Sequence, residues 1–373
     1  MADLGFGLMR LPLRDPEDQT SIDMDLLKRM VDEFLAAGFD YFDTAYYYHR
    51  NTSEAAIREA LVERHPRGSF RLATKMPMKL LESREHQESI FSEQLENCGV
   101  EYFDCYLLHN ICRSYYPTAE RLDTFRFLRE RKEEGRIRRL GFSIHDDADF
   151  LERVLERHAE DTEVVQLQVN YLDWDSPETQ AGRCCEVCES YGIPVIVMEP
   201  VKGGALANVP AEVAEMFGEA APGMSPASWA MRFAGGIGCV ETVLSGMTDM
   251  DQMRDNIRTM RDLRPLDDHE LEVLERAKGI IRSSVAVPCT GCRYCVDDCP
   301  KAIAIPEFFS IYNDAVGTPS KGLPPQRFYY LNLTGTHGKA SDCIGCGRCD
   351  GSCPQHLPIR ELLKDVARRL EVY

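Results

Sequence analysis

No stretch of the 373-residue chain approaches eighteen uninterrupted apolar residues, which argues against a membrane-spanning helix. No basic stripe offsets the formal net charge of −18, so neither nucleic acid nor an anionic membrane surface is expected as a partner. The first residues, Met1-Ala2-Asp3-Leu4-Gly5-Phe6, form no basic region with an apolar run behind it, and no secretory leader is expected. Low-complexity tracts are lacking. So is a G-x-G-x-x-G after the first candidate strand, which weighs against a doubly wound sheet. What remains is a soluble, cytoplasmic chain whose 44% hydrophobic content can fill a real core. Its acidity favours solubility or docking to a basic partner.

What is plentiful is cysteine, at fifteen residues. Cys289, Cys292, Cys295 and Cys299 are followed by Pro300, and Cys343, Cys346, Cys349 and Cys353 by Pro354. Both runs read C-x2-C-x2-C-x3-C-P, the spacing of bacterial two-cluster iron–sulfur proteins, in which the fourth cysteine of each run ligates the other cluster. Cys289, Cys292, Cys295 and Cys353 are therefore expected to hold one [4Fe–4S] cluster, and Cys343, Cys346, Cys349 and Cys299 the other. Zinc sites use two C-x2-4-C pairs, and neither they nor disulfides explain a third evenly spaced cysteine and the proline. The other seven cysteines read as reduced thiols of an intracellular protein, in an anaerobic or low-oxygen setting that clusters tolerate.

Ahead of these runs, short β-branched or aromatic stretches alternate with helical ones. Candidate strands are Leu4–Met9, Phe39–Ala45, Phe70–Met76, Cys105–His109, Arg139–Ile144, Val164–Asn170, Pro194–Pro200 and Thr242–Met247. Candidate helices between them include Asp25–Ala37, Ser53–Arg64, Arg84–Asn97, Ala119–Glu134 and Pro177–Tyr191. Eight such units predict an α/β fold, a (β/α)8 TIM barrel, rather than an open sheet. Arg264-Pro265-Leu266 ends the barrel, and Asp267–Arg282 reads as a further helix. Between the cysteine runs, Gly317-Thr318-Pro319 and Gly322-Leu323-Pro324-Pro325 predict loops around the short apolar pieces Phe308–Tyr312 and Phe328–Leu333. A last helix is expected at Ile359–Leu370. The domain division read from sequence is 1–284 for the barrel and 285–373 for the iron–sulfur part.

In a parallel barrel the carboxyl ends of the strands face the active site. Those ends carry Asp43, Lys75 and His109 on successive strands, with Tyr46, Tyr47 and Tyr48 on the loop after Asp43. A lysine ammonium beside a phenol stabilises the phenolate, and an aspartate would keep that lysine aimed. A histidine opposite could orient a carbonyl oxygen. Such a set suits protonation of a carbonyl that is being reduced by hydride. Each member alone has a bland reading, as a solvated strand end or a satisfied core group.

At these residues the chain resembles the aldo-keto reductases. Phe42-Asp43-Thr44-Ala45-Tyr46-Tyr47-Tyr48, Leu72-Ala73-Thr74-Lys75 and Tyr106-Leu107-Leu108-His109 are similar to that family's motifs. The resemblance implies that Tyr48 is the proton donor, that Lys75 and Asp43 support it, and that His109 orients substrate. It continues through Ser143, Gln168, Pro200, Ser245, Gly246 and Asn256, which it assigns to the nicotinamide cofactor NAD(P)H. The C-terminal part resembles bacterial dicluster ferredoxins, and the combination looks like a reductase branch fused to a ferredoxin.

Departures bear on the cofactor. Ser143 is followed by Ile144 where the family commonly has Ser-Asn. Met198 stands where a tyrosine stacks on the nicotinamide, and a thioether packs well against rings. Gly246 and Gln252 occupy positions that are basic in NADPH-specific members, so the preference between NADH and NADPH is left open. The hairpin that in the family precedes strand one has no counterpart in this sequence.

Three functions follow. The first is an oxidoreductase that reduces a small-molecule carbonyl, or oxidises the alcohol, with NAD(P)H and Tyr48. Its two [4Fe–4S] clusters would exchange electrons with an external ferredoxin or another redox protein. Hydride carries two electrons and each cluster one, a mismatch that a flavin normally bridges. The second is therefore a ferredoxin-driven reductase without nicotinamide, in which a flavin would mediate, although no flavin site is recognisable. The third is a non-enzymatic electron-transfer docking protein, against which the intact four-residue set argues.

Overall fold

The computed structural model describes residues 2–16, 18–177, 179–317, 324 and 326–371. Eight strands form a closed parallel barrel in sequence order: β1 (Asp3–Gly7), β2 (Tyr41–Asp43), β3 (Arg71–Met76), β4 (Cys105–Ile111), β5 (Leu140–Ile144), β6 (Val164–Gln168), β7 (Val195–Met198) and β8 (Val240–Ser245). Every candidate strand is present at its expected place with its ends shifted by no more than two residues: most are trimmed, whereas β4 runs two residues further and β1 and β8 begin one and two residues earlier. Side chains alternate across each strand. One set (Tyr41, Ala73, Cys105, Leu107, Val164, Ile196 and Leu244) packs together as a separate buried cluster inside the barrel. The other set, including Phe6, Phe42, Leu72, Leu108 and Phe142, packs in the larger core with the surrounding helices. Gly141 leaves no space for a side chain between β5 and β6, since a Cβ there would lie 1.9 Å from the carbonyl oxygen of Val164.

The helices around the barrel are α1 (Met24–Ala36), α2 (Ser53–Ile57), α3 (Arg84–Cys98), α4 (Tyr116–Leu122), α5 (Thr124–Glu133), α6 (Ala148–His158) and α7 (Ala181–Ser190). Asp23, Ser83 and Asp147 cap α1, α3 and α6 by accepting a backbone N–H in the first turn, which satisfies donors that a helix start leaves open. Three expectations are corrected in detail. The single helix expected at 119–134 breaks into α4 and α5 at Asp123, whose left-handed backbone (φ 57°) an aspartate tolerates better than most residues. The helix expected at 53–64 continues beyond α2 as a π-helical turn, Arg58–Val62. The helix expected from Pro177 begins only at Ala181, because Gln180 is left-handed (φ 50°). Beyond β7 and β8 follow α8 (Ala211–Ala220), α9 (Pro226–Gly235) and α10 (Met250–Arg261).

By compactness the chain divides into Met1–Val201 with Ala227–Asp267, and Lys202–Pro226 with Asp268–Tyr373. The second unit therefore takes in α8 and α11 (Asp268–Ser284), which pack on each other, in addition to the region after residue 284. It continues with α12 (Tyr294–Asp297), α13 (Ile305–Gly317), α14 (Arg327–Leu333), α15 (Arg348–Ser352) and α16 (Ile359–Leu370). The apolar pieces expected as short runs within loops are helical. Phe308, Phe309 and Tyr330 of α13 and α14 are buried with Ile359, Leu363, Val366 and Leu370 of α16. Those four recur at helical spacing, the amphipathic pattern of a core-facing helix. Of the expected loop residues, 318–323 and 325 lie outside the described residues.

Candidate active site and candidate cluster sites

Asp43, Lys75 and His109 sit at or near the carboxyl ends of β2, β3 and β4 and are all buried. Lys75 is 0% exposed, and an ammonium there must be neutralised and hydrogen-bonded to be tolerated. Its Nζ donates to Asp43 Oδ1 at 2.5 Å, to the carbonyl of Thr44 at 2.8 Å and to the Tyr48 hydroxyl oxygen at 3.5 Å. Asp43 Oδ2 accepts in turn from Gln166 Nε2 at 3.1 Å. A lysine that donates to a phenol oxygen leaves the phenol's own hydrogen free to point elsewhere.

The three consecutive tyrosines have different fates. Tyr46 donates to Glu93 at 3.0 Å, and Tyr47 stacks on the His109 ring at 4.6 Å and 11°. Only Tyr48 brings its hydroxyl to Lys75, with its ring edge-on to His109 at 5.8 Å. Burial holds the His109 imidazole well below its ordinary value of 6.5, and the charges of Lys75 and His145 push the same way. The ring is therefore neutral near pH 7, with one nitrogen able to donate. His109 Nδ1 and Asn110 Oδ1 are buried and have no hydrogen-bond partner among the described residues. Orphaned polar atoms at a barrel mouth fit a bound molecule that brings hydrogen-bonding groups of its own.

The sign of the His109 shift gives a testable stability effect. The unfolded chain takes up a proton near pH 6.5 that the folded chain refuses, so this group costs stability as pH falls below that value. The expected slope is up to about 1.4 kcal/mol per pH unit. Anaerobic denaturant unfolding at pH 7.5 and 5.5 should show a smaller acid loss for His109→Gln than for wild type; equal losses would contradict the assignment.

Of the residues expected at the cofactor, Ser143 on β5 accepts the Asn110 backbone N–H at 2.8 Å. Gln168 on β6 donates to Asp173 at 2.8 Å, and Asn170 donates to the same oxygen at 2.7 Å. Met198 ends β7 in register with Gln168, and Pro200 is buried two residues on. Ser245 accepts from Asn256 at 2.9 Å, which ties β8 to α10. Gly246 lies against Arg10, whose Cβ would be 3.0 Å from a Cβ placed there. Gln252 is exposed, and its carboxamide is held by Asp249 at 2.7 Å.

Three residues at the mouth escaped the sequence reading. Gln166 had a signal, being two residues before Gln168 on a strand of period two. Asn110 is left-handed (φ 59°) where β4 shifts register against β5, and a bulge leaves no mark in composition. Arg10 meets Gly246 across 236 positions of sequence, which no local pattern reveals. Trp174, weighed as a substrate wall, packs edge-on against Phe233 at 5.5 Å. Cys184, Cys185 and Cys188 are buried in the barrel–helix core. Asp147 caps α6.

In the second unit the two cysteine runs share a backbone. Each is left-handed at its third and fifth residues, Gly291 and Arg293 in one and Gly345 and Gly347 in the other, which curls the chain around its own thiols. One cavity is lined by Cys289, Cys292, Cys295 and Cys353, together with Ile305, Phe309 and Leu357. Another is lined by Cys343, Cys346, Cys349 and Cys299, with Ile303 and Leu363. Each cavity thus combines three thiols of one run with the last thiol of the other. None of the fifteen cysteines, all of them among the described residues, is in a disulfide. Among the described residues no three His, Cys, Asp or Glu side chains converge as they would on one metal ion. Four thiols spread around a cavity with apolar walls fit a multi-atom iron–sulfur core, in which each iron takes one thiolate.

Comparison with known proteins finds a match for each of the two parts of the chain. Residues 3–278 match the model of the aldo/keto reductase family, and residues 288–358 that of the 4Fe-4S dicluster domain. Among relatives, the uncharacterized oxidoreductase YqkF of Bacillus subtilis is 23% identical over 278 residues, spanning 66% of this chain and 85% of that protein. An aldo-keto reductase of Mycobacterium sp. (strain JLS) is 30% identical over 145 residues, 38% of this chain and 45% of that protein. Among solved structures, the aldo-keto reductase AKR11C1 from Bacillus halodurans in its holo form superposes with a TM-score of 0.57 at 23% identity, covering 74% of this chain and 91% of that one. An aldo-keto reductase from Klebsiella pneumoniae in complex with NADPH gives 0.55 at 18%, covering 73% and 89%. At such identities the structural likeness carries the fold. The family match covers most of the sequence: the chain belongs to the aldo/keto reductase family, is an oxidoreductase, and continues into a 4Fe-4S dicluster domain.

Proposed function

We propose that the barrel reduces a small-molecule carbonyl, or runs the reverse alcohol oxidation, with Tyr48 as the proton donor and NAD(P)H as the hydride source. The observation that carries this reading is the buried ammonium of Lys75, held by Asp43 and reaching the Tyr48 oxygen at 3.5 Å. As the carbonyl oxygen gains negative charge, the Tyr48 O–H donates to it, and the phenolate left behind is stabilised by Lys75. Asp43 keeps Lys75 in place, and Gln166 keeps Asp43. Neutral His109, opposite Tyr48, offers an N–H that orients the substrate oxygen. Nicotinamide, when bound, supplies the hydride. Ser143, Gln168, Met198, Pro200, Ser245, Gly246, Gln252 and Asn256 are proposed to hold it, and the NADPH in the Klebsiella neighbour supports a nicotinamide at this kind of mouth. Arg10 beside Gly246 offers a cation to its phosphates.

In the second unit we assign one [4Fe–4S] cluster to Cys289, Cys292, Cys295 and Cys353, and the other to Cys343, Cys346, Cys349 and Cys299. They serve one-electron exchange with an external ferredoxin or similar redox protein. The test is an anaerobic titration of the cluster-loaded protein with NADH and NADPH, followed by carbonyl-dependent oxidation of whichever binds. Binding plus carbonyl-dependent turnover is expected. Turnover driven by dithionite with no nicotinamide bound would favour the ferredoxin-driven alternative instead.

A further inference from the structure

Strand β4 carries one residue more than its alternation allows. Cys105 and Leu107 pack inside the barrel, whereas Tyr106, Leu108 and Ile111 pack in the outer core. Regular pleating would send residue 110 outward with Leu108. Instead β4 shifts register against β5 between Leu108 and Ile111, so two residues, His109 and Asn110, stand between two outward ones. A bulge of this kind re-aims a side chain. Asn110 accommodates it with a left-handed backbone (φ 59°), which asparagine adopts more readily than most residues. The bulge thereby sets Asn110 beside His109 at the barrel mouth.

The Asn110 backbone N–H donates to Ser143 Oγ at 2.8 Å. A hydroxyl that accepts in this way still has its own O–H to donate. The Asn110 side-chain oxygen is buried and, among the described residues, has no hydrogen-bond partner. His109 Nδ1 is buried and unpartnered as well, so the two neighbours do not satisfy each other. A buried acceptor without a donor is destabilising, and native proteins leave few of them. Ser143 and Asn110 therefore present one O–H donor and one carbonyl acceptor on adjoining residues of two paired strands. That pair complements a primary carboxamide, which offers one acceptor oxygen and an amino group with N–H donors.

We propose that Asn110 Oδ1 accepts a hydrogen bond from the amino group of the nicotinamide carboxamide while Ser143 donates to the carboxamide oxygen. This rests on the nicotinamide reading above and adds to it a residue outside the set named there. Asn110 then selects for the carboxamide: a ring that lacks the N–H leaves the buried oxygen unpaired, whereas the carboxamide satisfies it. Discrimination of roughly 5- to 100-fold in affinity is expected.

The test is an anaerobic calorimetric titration of the cluster-loaded full chain with whichever oxidised dinucleotide binds better, NAD+ or NADP+. The same titration is run with its acetylpyridine analogue, in which a methyl group replaces the amino group. Wild type should bind the carboxamide form roughly 5- to 100-fold more tightly. Asn110→Gly, which suits the left-handed backbone and removes the acceptor, should lose most of that ratio. Asn110→Asp, which keeps an acceptor oxygen on the same backbone, should retain it. Asn110→Ala is a second variant without the acceptor, and carries the reading if the glycine variant binds too weakly to measure. Equal affinities in wild type, or the wild-type ratio kept by a folded variant without the acceptor, would overturn the proposal. A raised KM for the carbonyl in that variant, with the ratio intact, would assign the oxygen to the substrate instead. A wild type that binds neither dinucleotide would remove the nicotinamide reading itself.

Discussion

Tyr48→Phe should lower kcat for carbonyl reduction by about 10²- to 10⁴-fold, the usual contribution of a positioned general acid, or about 3–5 kcal/mol of barrier. The substitution removes one oxygen and leaves the ring, which is edge-on to His109 and 9% exposed, so the local packing should survive. Nicotinamide affinity should change little, because the phenol acts on the carbonyl oxygen. Cluster absorbance should be unaltered, since all eight cluster cysteines lie between residues 289 and 353. A variant that keeps wild-type kcat would remove Tyr48 from the chemistry.

The second large effect concerns the crossed ligation. Cys353→Ser should empty the cluster of Cys289, Cys292 and Cys295, although it is the last cysteine of the other run. Cys299→Ser should likewise empty the cluster of Cys343, Cys346 and Cys349. Each cavity is lined by that mixed set of four thiols. A serine oxygen is a harder and poorer ligand for iron–sulfur cores than a thiolate. Iron analysis of each variant should fall from about eight to about four per chain. The double variant Cys292→Ser/Cys353→Ser should also retain about four, since both changes strike one cluster. Loss of all iron from that double variant would indicate that each run holds its own cluster.

The barrel was legible because eight runs of strand-forming residues alternate with amphipathic stretches, and only a closed sheet pairs eight such units in order. Asp43, Lys75 and His109 were legible because they lie at or near the carboxyl ends of successive strands. Separating Tyr48 from Tyr46 and Tyr47 needed either the family likeness or the coordinates, because three adjacent tyrosines carry the same local signal. The cysteine runs were the plainest feature, their spacing being that of bacterial two-cluster iron–sulfur proteins. What stayed hidden was long-range or conformational. The break at Asp123 depends on one backbone angle that a helical pattern does not encode. The bulge that places Asn110 beside Ser143 depends on register between two strands. Helices α13 and α14 were masked by flanking glycine and proline, and their apolar residues are buried against α16, far along the chain. Arg10 meets Gly246 across a stretch no sequence window spans.

The claim on which most depends is that Asp43, Lys75 and Tyr48 act as one proton-donating unit. The most direct measurement is anaerobic kcat for Tyr48→Phe, Lys75→Met and the double variant with the same carbonyl and nicotinamide. Residues acting as a unit lose their effect together, so the double variant should be no slower than the slower single one. Losses that multiply across the two substitutions would contradict the account.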